Sequence, residues 1–412
     1  MVIKNKKENW RNKVFLFLFS QSVSTLGSSV VSFSIFWYLT LEYSSGFIIT
    51  ALVLCIFIPQ IIISIFAGVW ADKYNKKYII IAADSFIALA TFAIAVFILA
   101  GNTSLYMIYG ATVIRSIGSG IQNPAISAIL PQITPKEYFT RVNGINNTIS
   151  ASISLLSPAI GGILLGSYGI VYSLMFDVIT AIIGVGILSF MNISLNTGNK
   201  ENEKTESEFT QLKSGLKYIK NNSVISQMLK YYTIIYIIVT PIAFLFPLKI
   251  TRIFGKDMWK VTLTEIFWAS GMIIGGFIIT FTKNIKNKII LSLVINFILG
   301  IDFFLLGATS NFYMILATLL IGGIFMVIGD TAETSFLQEN TDLNMMGRVF
   351  SMIHMIRAII FPISILFFGP LADIIKIEYL LCGTSILLSF LAIIKFYDKK
   401  FINLGKNRKI TE

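Results

Sequence analysis

Long apolar runs separated by short polar loops set the pattern of this chain. Twelve such runs cover about 14–41, 47–70, 78–100, 105–130, 142–165, 170–191, 224–248, 261–281, 289–307, 312–336, 349–375 and 379–396. Each is close to or above the roughly 20 residues that a helix needs to cross bilayer hydrocarbon. The runs are continuously apolar rather than alternating, which excludes the strands of a membrane barrel. The longer ones predict tilted helices or extensions beyond the lipid. The expected fold is an all-α membrane protein with twelve transmembrane helices.

One long polar stretch interrupts the pattern, residues 192–222 (NISLNTGNKENEKTESEFTQLKSGLKYIKNN). It begins with linker composition. It then places Phe209, Leu212, Leu216 and Ile219 at helical spacing, with Lys213, Lys217 and Lys220 among them. Two readings are open, a helix lying on an anionic leaflet or a plain linker helix. The stretch divides the chain into a first bundle (1–191), a linker (192–222) and a second bundle (223–412). A shift of 207 residues then overlays Gly68 on Gly275, Lys76 on Lys283, Ala125 on Ala332, Leu130 on Leu337, Thr134 on Thr341, Arg141 on Arg348 and Val142 on Val349. One offset near half the length of 412 residues implies two six-helix halves of parallel topology. That layout suits a rocking transporter with its substrate site near the midplane.

Composition narrows the function. Hydrophobic residues make up 55% of the chain and charged residues 13%, about half the charge of an average soluble domain. A soluble enzyme, a secreted domain and a transcription factor are excluded. The net charge of +12 does not call for a nucleic-acid partner, because the basic residues sit in loops between apolar runs. Of the 33 Lys and Arg, 25 fall on the side of the N-terminus, including Lys4 to Lys13, Lys73, Lys76, Lys77, the linker lysines and the C-terminal tail. Five fall on the opposite side: Lys249, Arg252, Lys256, Lys260 and Lys376. Both termini and the linker are therefore expected in the cytoplasm, with the 249–260 loop as the one local violation. The protein is expected in the plasma (inner) membrane as a monomer, in contact with lipid. The first apolar run reads as an uncleaved span. Cys55 and Cys382 lie inside apolar runs with no metal-binding spacing, so neither a metal nor a disulfide is expected. No phosphate loop, zinc motif or Ser-His-Asp set appears, and no cofactor is implied.

Several residues carry candidate chemistry. Arg115 sits inside span 4, where a charge costs about 2.5–3.5 kcal/mol on insertion scales and so faces a cavity or a partner. Coupling and a buried structural ion pair are both open. Asp84, Asp330 and Glu333 lie near loop ends and read as loop networks, with Asp84 also a coupling candidate. Asp177 and Asp302 lie deeper. For both, a structural or interfacial role is one reading; Asp177 is, with Asp84, also a candidate coupling carboxylate for Arg115. His354 and Arg357 share a face one turn apart and are coupling candidates from the other half, because His titrates nearest neutrality; a hydrogen-bonded core histidine is the alternative. Candidate cavity residues are Gln21, Thr25, Gln60, Gln122, Asn123, Tyr232 and Tyr236, with Ser24, Ser28 and Ser32 beside them. Hydroxyl, amide and aromatic groups suit an amphipathic substrate with scattered polar handles.

The string Gly68-Val-Trp-Ala-Asp72-Lys73-Tyr-Asn75-Lys76-Lys77 resembles the signature of the major facilitator superfamily, G-x-L-A-D-[RK]-x-G-[RK]-[RK]. Trp70 stands for the usual Leu, and Asn75 for the usual Gly, where Asn tolerates a left-handed turn. The resemblance implies a conformational latch built on Gly68, Asp72, Lys73, Lys76 and Lys77. Arg115-Ser-Ile-Gly118-Ser-Gly120 resembles the family's span-4 motif, which implies a part in proton coupling. Ser157-Pro158-Ala-Ile-Gly161-Gly162 resembles the antiporter motif of drug exporters and implies a helix bend at Pro158, Gly161 and Gly162; simple glycine packing is the alternative. A second string, Gly369-Pro-Leu-Ala-Asp373, reads as a coincidental or structural turn. Asn123-Pro124-Ala125, Thr264-Glu265-Ile266, Gly271 to Gly276, Phe336-Leu-Gln-Glu339 and Gly347 to Ser351 resemble the macrolide-efflux subgroup from end to end. The resemblance implies a drug:proton antiporter that confers antibiotic resistance. Export of a metabolite, siderophore or lipid is the alternative. A polytopic enzyme is disfavoured, because one His and no carboxylate pair at a membrane face leave it without a catalytic set.

Overall fold

The structure, a computed structural model, describes residues 2–191, 208–255, 257–282 and 287–405. Its long helices are α1 (Val2–Tyr43), α2 (Gly46–Lys73), α3 (Lys76–Leu99), α4 (Leu105–Ile133), α5 (Phe139–Tyr168), α6 (Ile170–Phe190), α8 (Ser223–Phe254), α9 (Met258–Phe281), α10 (Lys288–Ala308), α11 (Phe312–Asn340), α12 (Leu343–Ile374) and α13 (Ile377–Tyr397). Two short helices complete the order, α7 (Glu208–Asn221) between α6 and α8, and α14 (Lys399–Leu404) after α13. No strand occurs among the described residues. The twelve long helices match the twelve apolar runs. Eleven of them are long and apolar enough to cross a membrane. The twelfth, α4, is long enough, but Arg115, Ser116, Ser119, Gln122 and Asn123 dilute its apolar character.

Helix starts follow from side-chain capping. Asn75, Asn222, Asn287 and Asn311 each accept backbone N–H groups of the first turn that follows, which satisfies donors that a helix leaves orphaned. Asn75 is extended, with φ −66° and ψ 111°. The expected left-handed turn is not formed there; Asn stands in this loop as a cap. Gly169 joins α5 to α6 with φ +86°, a left-handed backbone that favours glycine.

The chain divides into two compact units, 1–43 with 51–200, and 44–50 with 201–412. In the first unit α1 packs on α5 and α6, and α3 on α4 and α6. The α1–α6 crossing is close enough that a Cβ on Gly184 would meet the Ser20 carbonyl oxygen at 3.0 Å. Ser20 Oγ donates to the Gly184 carbonyl there at 2.8 Å. Val14, Phe17, Ile80, Ile129 and Leu188 form an apolar core at one end of this unit. At the same end Lys77 Nζ donates to the carbonyls of Ser189 and Met191, each at 2.8 Å, a cation on the negative end of α6.

In the second unit α9 packs on α11, α10 on α11 and α13, and α8 on α12 and α13. Gly271 and Gly275, one helical turn apart on α9, lie against the backbone of α11; a Cβ on either would fall within 2.4 Å of a carbonyl oxygen. Small residues at this spacing let membrane helices approach closely. The linker helix α7 packs on α12. Arg348 donates to Ser214 Oγ at 2.7 Å, and the Asp342 N–H donates to Tyr218 Oη at 3.1 Å. The packed face is thus Ser214, Gly215 and Tyr218, whereas Leu216 of the expected apolar stripe is exposed. The linker segment 192–207 lies outside the described residues.

Candidate functional site

The first unit holds a cavity of about 410 Å³, and most of the residues that line it carry a hydroxyl or an amide. From α1 come Ser24, Thr25, Ser28, Ser29 and Ser32, from α2 Gln60, and from α4 Arg115, Ser116, Ser119, Gln122 and Asn123. Ile35, Leu52, Ile56 and Ile126 supply the apolar part. Four of the seven expected cavity residues meet here: Thr25, Gln60, Gln122 and Asn123. The hydroxyls recur at helical spacing on one face of α1, and the low hydropathy of α4 follows from the side chains it turns to this space.

Two carboxylates stand one side chain behind the wall. Arg115 forms an ion pair with Asp177 of α6. Both are buried, at 7% and 0% exposure. The pair is well supplied with hydrogen bonds. Ser28 Oγ donates to one Asp177 oxygen at 3.0 Å, and Thr91 Oγ1 to the other at 3.1 Å. Arg115 also donates to Thr91 Oγ1 and to the Ser28 carbonyl. Asp84 accepts from Ser24 Oγ at 2.8 Å and from Gln122 Nε2 at 2.7 Å. It is buried among α1, α3 and α4, not part of a loop network. A buried carboxylate can persist in such surroundings when it is paired or hydrogen-bonded. Asp177 and Asp84 each reach the cavity through a residue that lines it: Arg115 and Ser28 for one, Gln122 and Ser24 for the other.

The second unit carries three further polar groups. Glu333 accepts from Ser292 Oγ at 2.7 Å and Asn296 Nδ2 at 3.4 Å, and Asn296 also donates to Tyr231 Oη at 3.1 Å. Glu333 therefore belongs to a network among α8, α10 and α11, again not a loop. Arg357 pairs with Asp330 at 2.9 Å and lies 4.5 Å from the Tyr236 ring centroid, a cation–π contact. Asp373 accepts from the Gly46 and Phe47 N–H groups, Ser45 Oγ and Arg252. The string that ends at Asp373 is thus the base of a hydrogen-bonded anchor, the structural of its two readings. A cavity of about 200 Å³ lies among α8, α9, α10 and α11, lined by apolar and aromatic groups and by Glu265.

The remaining expected site residues fall as follows. Gln21 and Tyr232 are buried, and the Gln21 amide and Tyr232 hydroxyl atoms have no hydrogen-bond partner among the described residues; neither lines the cavity of the first unit. Gly161 sits against α1, where a Cβ would meet Phe33 at 2.7 Å. Gly162 is buried, and α5 runs on through Pro158 as one helix. Lys76 opens α3 beside Lys77. The side chains of Asp72, Lys73 and His354, and the surroundings of Gly68, lie outside the described set. Lys249 and Glu265 were not singled out by the sequence as chemistry. Lys249 was counted as loop charge, yet it is 1% exposed within α8 and donates to the carbonyls of Leu306, Gly307 and Thr309 at 2.6–2.7 Å. Glu265 could have been found as an acid five residues into an apolar run, with Trp268 on the same helix face.

The profile of the Major Facilitator Superfamily matches residues 17–365. Macrolide efflux protein A of Streptococcus pyogenes is 26% identical, over 93% of this chain and 95% of that protein. The staphyloferrin A transporter of Staphylococcus aureus is 24% identical, over 88% of this chain and 90% of its own length. Among solved structures, a bacterial homologue of the human lysosomal transporter Spinster superposes with a TM-score of 0.69 at 14% identity, covering 97% of this chain and 99% of that one. A POT family transporter in complex with a thioalcohol-conjugated peptide gives a TM-score of 0.69 at 11% identity, covering 95% and 96%. The family, the full-length relatives and the twelve-helix architecture agree: the chain is a multi-pass membrane transporter and belongs to the major facilitator superfamily.

Proposed function

We propose that this transporter is a proton-driven exporter of amphipathic small molecules of the macrolide type, working by alternating access from a plasma membrane with both termini in the cytoplasm. The observation that carries the reading is the cavity of the first unit. Its hydroxyl and amide wall can hydrogen-bond a substrate rich in oxygen, while Ile35, Leu52, Ile56 and Ile126 take an apolar face. The Arg115–Asp177 pair beside it offers a coupling element. Protonation of Asp177 would release Arg115 toward the cavity, so that proton and substrate occupy the site in turn. Relatives that carry the name macrolide efflux protein along nearly the whole chain support the substrate class. The relative named as a staphyloferrin A transporter supports siderophore export as a second reading.

Expression in an efflux-deficient bacterium, with macrolides, dyes and siderophores supplied in parallel, tests the proposal. Lower accumulation of a macrolide, reversed by a protonophore, is the expected result. Unchanged accumulation of every macrolide, with faster release of a siderophore, would replace this substrate class with the second reading. Export that survives collapse of the proton gradient would overturn the coupling.

A further inference from the structure

The cavity of the second unit differs in kind from that of the first. Its walls are hydrophobic and aromatic, with Phe246 from α8, Trp268 from α9, Phe303 from α10 and Met326 from α11. Set into them is one ionisable side chain, Glu265. No cationic side chain is among the described residues that line the cavity. Among the described residues, no Lys or Arg forms an ion pair with Glu265. A second acid stands close by. Asp302 is 5% exposed, and its buried Oδ2 has no hydrogen-bond partner among the described residues. It lies beside Gly322, where a Cβ would sit 2.8 Å from Asp302 Oδ2 and 3.1 Å from the Trp268 ring. Asp302 and the ring of the cavity-lining Trp268 thus meet at the same small residue, Gly322.

A carboxylate in an apolar membrane interior must be neutralised or matched by a cation. A proton would neutralise Glu265, but a proton needs no space. Here the acid opens on about 200 Å³, room for an alkylated ammonium head and not for a whole large substrate. Aromatic rings around that space attract a cation through their faces while keeping water out.

We propose that Glu265 and the aromatic cavity around it form a recognition site for the positively charged head of a lipophilic amine. This deepens the exporter reading and rests on it for the physiological role. It names the substrate class as amphipathic monocations.

The test is equilibrium binding to the full-length protein in lipid nanodiscs, with no gradient imposed. Two dansyl-labelled probes are compared, one ending in a trimethylammonium group and one in the tert-butyl group of the same shape. The wild-type protein is expected to bind the ammonium probe about tenfold more tightly than its neutral twin, the effect of one desolvated cation site. Glu265→Gln is expected to bring the ratio near one while leaving the tert-butyl probe's affinity unchanged. Glu265→Asp is expected to keep part of the preference. Retained binding of the neutral probe shows that the variant is folded. Equal affinities in the wild type, a ratio preserved in Glu265→Gln, or equal weakening of both probes would each overturn the site. Because binding is read without transport, a protein that keeps the ratio yet exports nothing would overturn the export reading alone.

Discussion

The carboxylate of Asp373 receives the backbone N–H of Gly46, the first residue of α2, at 2.8 Å. The next N–H, of Phe47, reaches the other oxygen at 2.9 Å, and Arg252 closes the group at 2.7 Å. An anion here meets the positive end of a helix and two of its orphan donors at once. Glycine at 369 lets α2 come close, since a Cβ there would meet Thr50 Oγ1 at 1.7 Å. An anion at a helix N-terminus contributes about 0.3–1 kcal/mol when exposed and up to about 2 when partly buried. Asp373→Asn is therefore expected to raise hydrogen exchange at Gly46 and Phe47 by roughly twofold to thirtyfold. Hydrogen-exchange mass spectrometry checks this; unchanged exchange at both amides would show that Asp373 does not hold the turn.

Lys249 makes a separate case for buried charge. Its ammonium satisfies three carbonyls at the end of α10. Lys249→Met keeps the length of the side chain and removes every donor. Each buried acceptor left without a partner costs about 1–3 kcal/mol. A fall in thermal stability of the detergent-solubilised protein is expected, with no change in substrate preference. A melting temperature equal to that of the wild type would mean that water replaces the ammonium.

Topology is open to a direct test. In a cysteine-free background made by replacing Cys55 and Cys382, single cysteines at Asn102 and Ser207 are expected to label from opposite sides of the membrane with an impermeant thiol reagent. The basic residues at the far end of α8 do not contradict this, because Lys249 and Arg252 are bound to carbonyls and Asp373 and are not free loop charges. Labelling of both cysteines from one side would reverse the assignment.

Which features the sequence made legible follows from the range of the forces involved. Twelve helices could be read from run length alone, because an apolar stretch long enough to span lipid has no other stable form. Arg115 could be read as costly for the same reason. Its partner could be narrowed to Asp84 or Asp177 but not chosen, since Asp177 is 62 positions away in sequence and the pairing depends on how α4 and α6 pack. Asn75 was read by its tolerance of a left-handed turn, whereas the local donors of α3 use it as a cap. Lys249 passed for loop charge because α8 runs to Phe254, six residues past the expected end of the span. Glu265 stood in the chain as part of a family-like string, and only the packing of four helices shows the space it faces.

Asp72 is expected to act on the conformational cycle and not on substrate contact. If its carboxylate works the latch that the signature implies by meeting a helix N-terminus, as an anion can, its removal shifts the balance of states by up to about 2 kcal/mol, enough to move a closely balanced equilibrium tenfold or more. Asp72→Asn should insert normally, bind substrate with little change and transport poorly. A fully active Asp72→Asn protein would reject the latch.

Arg115 and Asp177 allow structure and coupling to be separated. Arg115→Ala leaves Asp177 buried without its cation, and breaking a buried pair on one side costs about 3–5 kcal/mol. Loss of export in that variant alone would therefore prove little. The double variant Arg115→Ala with Asp177→Asn removes both charges, and its stability is expected to recover most of that loss. If the pair couples protons to substrate, the double variant folds, still binds substrate and carries it only down its gradient. Arg115→Lys retains the charge without the two-pronged geometry and should keep part of the coupled transport. Substrate-dependent proton flux in proteoliposomes is the measurement. Proton exchange at the wild-type ratio in the double variant would make the pair structural, and would leave Asp84, which contacts the cavity-lining Gln122, as the carboxylate to test next.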